Sequence, residues 1–570
     1  MTAFADAFQE VRAAWRPRAT LSVAVFAAAA LVPLAVGEAR LADLASGLYL
    51  AGAAVGLAFV VGIAGLPSLA QGGFVAVGAV VAAHLLAAGA PTPVAAVLGG
   101  VGGGAAGALV GYAFARLPPA GFAAATWIVS WLIAFALLSI TWLLGGSQGL
   151  VVTGGPSTAQ HYELALALTG VAALAYTALA RAPFGLRLAA ARDREAAART
   201  LGVPVLHVRA LAVAGSGVVA GVAGALGVQL AGVADPTQYG PFLSFRLIVV
   251  VLIGGALAPL GAPAGMLVLG ALSIAADVVG RLENVAASRA HTLLTAIMLL
   301  GILSLGWEGI LGAPRRFRRG STGAGPGRPA PARLEARGLG KSFGSVSAVE
   351  GVALTIEPGR ITALVGPNGS GKTTVLRMIA GAVPPDAGAV EAPRASVVRT
   401  LQATAVFPRL TPLEHVLVAS AGRRSRGGVI RSLFATPQAR DEDAAYVAHA
   451  RTLLDRFGLP HDVPAGELPG SDQRALMLAC ARATGAPVLL VDEPTAGASA
   501  TEVTRIVQLL RALREEGLAL LVVEHNLGVV RRLADRVLVL DAGRVIADGP
   551  PDAVAADDRV RAAYLGAHRL

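Results

Sequence analysis

The stretch ITALVGPNGSGKTTVLRMI, residues 361–379, decides the fold of the C-terminal part of this chain. An apolar strand pattern, Ile361 to Val365, runs directly into Gly366-Pro-Asn-Gly-Ser-Gly-Lys-Thr-Thr374, and a helical pattern follows. This is G-x-x-x-x-G-K-T in the strand, loop and helix setting that gives the spacing its meaning. Gly366, Gly369 and Gly371, with Asn368 and Ser370 between them, let backbone N–H groups close around phosphate oxygens. Lys372 adds a point charge, and the N-terminus of the helix favours an anion. Thr373 offers a hydroxyl to Mg²⁺, and Thr374 continues the same turn. An α/β P-loop NTPase domain is expected here.

Downstream, VLLVDEP from Val488 is an apolar strand ending in two acids. Asp492 is placed to hold Mg²⁺, directly or through water. Glu493 is placed to polarise an attacking water as general base. Coupled to the phosphate loop, this pair marks a nucleotide hydrolase.

Outward from that domain the composition changes. The 570 residues are 55% hydrophobic with 70 Gly, and the mean hydropathy is +0.65, too apolar for one soluble globule. Charge is sparse before Gly312 and ordinary from Arg333 onward. Between them GAPRRFRRGSTGAGPGRPAPAR, Gly312 to Arg333, has the Gly, Pro and Arg content of a tether. The expected division is therefore 1–312 within a membrane, 313–333 linker and 334–570 nucleotide-binding.

Apolar runs of about 20 residues, enough to cross ~30 Å of hydrocarbon as helix, centre near Ala28, Ala54, Val80, Val101, Leu132, Ala172, Val219, Val251, Leu269 and Met298. A polytopic α-helical domain of about ten spans is expected. Its many glycines point to helices that approach through small residues. Basic segments at Arg12, Arg16 and Arg18, at Arg181 to Arg199 and at Arg315 to Arg319 set the cytoplasmic side. The acidic connections Glu38 to Asp43 and Asp235 then face outward. The first apolar run lacks an obvious cleavage site and reads as an uncleaved span. The net charge of +11 follows this topology, so nucleic acid is not expected as a partner. The lone cysteine, Cys480, excludes an intramolecular disulfide and reads as a buried spectator. His84, Gln71, Gln229 and Asp277 are polar at membrane depth, where such groups are costly and invite a role in solute passage.

Four stretches of the membrane half resemble LivM-like permeases of branched-chain amino-acid ABC importers. They are SLAQGGFVAVGA from Ser68, RAPFGLRLAAARDREAAARTLGV from Arg181, ALAVAGSGVVAGVAGAL from Ala210 and SFRLIVVVLIGGALAPLGAPAG from Ser244. In that family the loop at Arg181 to Val203 is the coupling helix that docks into the ATPase. From about Leu334 to the end, the chain resembles ABC nucleotide-binding domains, the LivG-like and LivF-like branch in particular. The resemblance puts Phe343 where an aromatic stacks on adenine. It puts Gln402, in RTLQATAVFPRLTPLEHV, at the Q-loop position that contacts Mg²⁺ and the coupling helix. His525, after LALLVVEH, falls at the switch histidine near the γ-phosphate.

One motif departs from the family. LPGSDQR, Leu468 to Arg474, stands where LSGGQ or LSYGQ is expected. A hydroxyl donor is lost at Pro469, Ser471 adds a side chain where backbone approaches phosphate, and Asp472 introduces an acid whose repulsion should weaken phosphate binding. In ABC dimers each signature completes the partner's ATP site. The resemblance therefore implies a second ATP-binding subunit with an intact signature, a second permease subunit and a separate solute-binding protein, with this chain in the plasma (inner) membrane as a multi-pass protein and its ATP-binding domain cytoplasmic. ATP and Mg²⁺ are the implied cofactors. Import of branched-chain amino acids, other amino acids, amides or urea is the expected activity. The alternatives are an exporter, disfavoured by short and numerous spans, and a nucleotide-binding membrane protein without productive turnover.

Overall fold

The computed structural model of this chain describes residues 29, 32–282, 331–392, 397–400, 406–420 and 437–566. Packing divides the chain into two compact units, Met1–Leu188 with Leu206–Arg316, and Ala189–Val205 with Phe317–Leu570.

The membrane half is helical. In chain order its helices are α1 (Glu38–Gly62), α2 (Gln71–Ala87), α3 (Thr92–Phe114), α4 (Pro119–Ser139), α5 (Thr158–Arg181), α6 (Pro183–Asp193), α7 (Glu195–Thr200), α8 (Val205–Ala231), α9 (Pro241–Gly254) and α10 (Gly261–Leu282). Pro119 opens α4 at a position where its missing N–H costs nothing. A capping box opens α5, with Ser157 Oγ accepting from Gln160 N–H and Gln160 Oε1 accepting from Ser157 N–H.

Every expected span centre from Ala54 to Leu269 falls within one of these helices. Those at Ala28 and Met298 lie outside the described residues, as do the basic segments at Arg12 to Arg18 and Arg315 to Arg319. The number of full spans is the point of difference. Among the described residues five helices, α1, α3, α4, α5 and α8, are long and apolar enough to cross a membrane. α9 has 14 residues, which at 1.5 Å per residue reaches about 21 Å, short of ~30 Å. α2, with 17 residues, is also short. Irregular backbone at residues 63–70 separates α1 from α2, and at residues 255–260 it separates α9 from α10. Glu38 to Asp43 is likewise no connection but the start of α1.

Small residues set the helix spacing, as expected. A Cβ added to Gly78 of α2 would lie 2.1 Å from the carbonyl oxygen of Gly221 in α8, and one on Gly103 of α3 would lie 2.3 Å from that of Gly217. These backbones touch, which only glycine permits.

A short antiparallel pair, β1 (Leu150–Val151) with β2 (Val233–Ala234), lies in the membrane half, whereas the second unit is built on sheets. A six-stranded sheet has the order β11-β10-β5-β9-β8-β7, formed by β5 (Ile361–Val365), β7 (Val397–Arg399), β8 (Val488–Asp492), β9 (Ala519–Val523), β10 (Arg536–Asp541) and β11 (Arg544–Gly549). All its pairings are parallel except β10 with β11. A three-stranded antiparallel sheet comprises β3 (Leu334–Phe343), β4 (Val346–Ile356) and β6 (Ala387–Glu391). Leu364, Val375, Leu376, Leu490, Leu521 and Leu538 join the core beneath. Register pairs Leu364 of β5 with Val523 of β9, and Val523 with Asp492 of β8. The carboxyl ends of three parallel strands thus share one edge, where α/β sheets bind ligands.

Candidate nucleotide site

Gly366, Gly369 and Gly371 adopt φ of 155°, 81° and 99°, a region that L side chains avoid. A Cβ on Gly366 would lie 2.0 Å from Leu540 O, and one on Gly371 2.4 Å from Ala348 O. The loop therefore stays bare and leads into α11 (Lys372–Ile379), leaving its first amide groups for phosphate. Asn368, Gly369 and Thr373 are exposed, Thr374 is half-buried and Ser370 is buried. Lys372 is folded back, its Nζ donating to Gly366 O at 2.9 Å and Pro367 O at 2.7 Å. Burial pulls its ammonium below the ordinary lysine value, while Glu493 and Asp492 oppose that shift. The three groups therefore sense one another.

Asp492 ends β8 and is buried. Glu493 follows at φ 46°, with its N–H donating to Val523 O at 3.0 Å. His525 follows β9 by two residues and is exposed. Phe343 ends β3 and is 52% exposed, open to a stacking partner. Its hairpin is tied by Asp386, which accepts from Lys341 Nζ at 2.6 Å and from Ser342 N–H at 2.9 Å. Gln402 lies outside the described residues. The bare loop, the folded lysine and the helix N-terminus fit a nucleoside triphosphate. Among the described residues no cluster of three His, Cys, Asp or Glu side chains forms a metal cage.

Family comparisons place this geometry. Residues 41–303 match the family described as "Branched-chain amino acid transport system / permease component". Residues 349–496 match "ABC transporter", and 544–569 match "Branched-chain amino acid ATP-binding cassette transporter". The high-affinity branched-chain amino acid transport ATP-binding protein LivG of Escherichia coli K12 is 32% identical over 249 residues, covering 41% of this chain and 97% of that protein. The chain belongs to the branched-chain amino-acid ABC transporter family. The ribose import ATP-binding protein RbsA of Rhodococcus jostii is 34% identical over 248 residues, covering 41% of this chain and 47% of that protein. A solved nucleotide-free ATP-binding cassette from an ABC transporter is 27% identical, with a TM-score of 0.36 over 41% of this chain and 98% of that one.

This member of the branched-chain amino-acid ABC family therefore joins permease and ATP hydrolase in one polypeptide. After α12 (Pro412–Ala419) and α13 (Pro437–Arg456), the altered signature opens the next helix, α14 (Gly470–Ala483), and α15 (Ala500–Glu515) follows. Asp472 does not stand as a free acid at that helix start. Its Oδ1 accepts from Arg505 Nη1 of α15 at 2.5 Å, so the expected repulsion is compensated within the chain. Cys480 is buried in α14, and burial pushes its thiol up.

The polar suspects of the permease are mostly occupied. Gln71 is fully buried, donating from Nε2 to Ala53 O at 2.9 Å and accepting at Oε1 from Ser216 Oγ at 3.0 Å. It belongs to a set that mends the break before α2: Gly72 N–H donates to Ser244 Oγ at 2.8 Å, and Leu69 N–H to Thr126 Oγ1 at 3.0 Å. His84 Nε2 meets Leu143 O at 2.9 Å. Gln229 donates to Thr92 Oγ1 at 3.1 Å. Asp277 falls in α10.

Three site residues escaped the sequence reading. Arg399 pairs with Asp492 at 2.7 Å, and Thr495 bonds to Glu524 at 2.6 Å. Their signals were present, since Arg399 opens the RTLQ stretch that holds Gln402 and Glu524 adjoins His525.

Proposed function

We propose that the chain is the permease and ATPase subunit of an importer that couples ATP hydrolysis to uptake of branched-chain amino acids or related small polar solutes. The observation that carries this reading is the union, in one polypeptide, of a permease match over 41–303 with an ATPase 32% identical to LivG. Phe343 stacks on adenine, and the Gly366 to Thr374 loop with Lys372 holds the phosphates. Thr373, Asp492 and Gln402 hold Mg²⁺, which neutralises charge on the transferred group. Glu493 orients the attacking water, and His525 contacts the γ-phosphate.

The membrane domain is residues 1–312, the linker 313–333 and the cytoplasmic ATP-binding domain 334–570. The chain lies in the inner membrane, and the Arg181 to Val203 segment, folded as α6 and α7, couples the two domains from the cytoplasmic side. A second permease subunit and a solute-binding protein complete the assembly. LPGSDQR favours a heteromeric ATPase pair, because Pro469 and Ser471 spoil both composite sites of a homodimer. Brisk ATP hydrolysis by a purified homodimer, abolished by Glu493→Gln, would refute the heteromeric pairing.

The deciding experiment reconstitutes the complex in liposomes and measures ATP-driven uptake of labelled leucine against urea, with Glu493→Gln as control. Uptake that vanishes in the variant supports import and names the solute class. ATP turnover without uptake of either compound counts against it.

A further inference from the structure

One buried carboxylate stands against the nucleotide site without an assigned role. Glu524 is 1% exposed, between β9 and His525. Its Oε1 accepts from the N–H of Thr495 at 3.0 Å and from the Thr495 hydroxyl at 2.6 Å. Its Oε2 accepts from the N–H of His525 at 3.3 Å. Its own N–H donates to Leu364 O of β5, the strand that feeds the phosphate loop, at 3.4 Å. Among the described residues, no Lys or Arg forms an ion pair with it. A carboxylate this buried is costly unless donors fill it, and all of these donors belong to the turns beside Glu493 and His525.

Thr495 lies two residues beyond Glu493 in a tight turn, with Ala496 N–H donating to Glu493 O at 3.3 Å and Ala498 N–H to Thr495 O at 3.1 Å. Glu493 itself sits at φ 46°, a conformation that persists in a non-glycine residue only when its surroundings over-determine it. The bond from Glu493 N–H to Val523 O fixes one side of the turn, and the Glu524 carboxylate fixes the other.

We propose that Glu524 is a positioning residue which, through Thr495 and the His525 N–H, sets the placement of the Glu493 carboxylate relative to His525 for ATP hydrolysis. The proposal rests on the reading of Glu493 as the group that orients water. It acts on the chemical step and leaves nucleotide affinity alone, because Glu524 faces the turns and not the phosphate loop's amides.

The test uses the full chain assembled with its partner subunits. ATP turnover and ATP binding are measured for wild type, Glu493→Gln, Glu524→Gln, Thr495→Val and Thr495→Ser. Glu524→Gln puts an amide donor against a backbone N–H, and Thr495→Val removes one hydroxyl at constant shape. Displacing a reacting group by about 1 Å costs on the order of 100-fold, so both variants should lower kcat by about 10- to 100-fold with KM for ATP within about twofold. Thr495→Ser, which keeps the hydroxyl, should stay within about threefold of wild type. Unchanged kcat in Thr495→Val and Glu524→Gln beside an inactive Glu493→Gln overturns the positioning role alone. A loss of kcat matched by a rise in KM or by loss of folded protein also overturns it. An active Glu493→Gln, or a wild type without turnover, removes the reading of Glu493 and this proposal with it.

Discussion

Arg399 Nη2 donates to Asp492 Oδ2 at 2.7 Å, with the arginine side chain 14% and the carboxylate 3% exposed. The proposed metal ligand is thus already neutralised by a cation from the neighbouring strand, since β7 and β8 pair in parallel. A buried carboxylate stripped of its partner is strongly destabilising. Arg399→Ala should lower the stability of the nucleotide-free ATP-binding domain by about 3 kcal/mol, and Mg-ATP should restore part of the loss by supplying a replacement cation. Thermal unfolding with and without Mg-ATP measures both. An unchanged midpoint without nucleotide would show that the ion pair contributes nothing.

Gly371 also requires a bare loop, at φ 99° with a neighbouring carbonyl 2.4 Å from any added Cβ. Gly371→Ala should abolish binding of a fluorescent ATP analogue and cost the domain about 1–3 kcal/mol through backbone strain. Retained binding would mean that the loop reshapes without penalty.

In the membrane half, Gly78→Leu forces a side chain into the backbone of α8 at Gly221. It should destabilise the permease in detergent by about 1–3 kcal/mol or more. Gly227, also in α8, has nothing within 4 Å of an added Cβ, so Gly227→Ala should be neutral or stabilising by up to about 1 kcal/mol. Equal thermal stability of the two variants would contradict the close crossing.

His415 gives a pH dependence whose sign is fixed. Its Nε2 accepts from Phe407 N–H at 2.8 Å while Nδ1 donates to Thr411 O at 2.8 Å, so the ring is held neutral. Burial lowers its pKa from 6.5 to about 4. The unfolded chain takes up a proton below about 6.5 and the folded chain does not. Stability should therefore fall as pH drops from 6.5 and level off near 4, a loss of about 3 kcal/mol over the window. Unfolding of the full chain at pH 7.5 and 5, compared with His415→Asn, reads this out. A variant with the same slope as wild type would assign the effect to other groups.

The phosphate loop was legible because its chemistry is local: Gly366 to Thr374 needs only its own spacing. The strands that lead to Asp492 and His525 were legible for the same reason. What failed to show in the sequence depends on distant partners. The apolar runs around Val80 and Val251 read as full spans, yet α2 and α9 have 17 and 14 residues, and backbone at the start of α2 bonds to the hydroxyls of Thr126 and Ser244 in other helices. Asp472 read as a repelling acid because Arg505, 33 residues away, is invisible to motif spacing. Glu524 is not singled out by any motif, since its partner Thr495 lies 29 residues away, past the end of the neighbouring strand.

The bond from Gly72 N–H to Ser244 Oγ joins residues 172 positions apart, and that separation is also an interval of time. At 5–20 residues per second a ribosome needs roughly 10–30 s to make the intervening chain. Until then the break before α2 lacks this acceptor. The start of α2 therefore leaves the ribosome well before the serine that completes it.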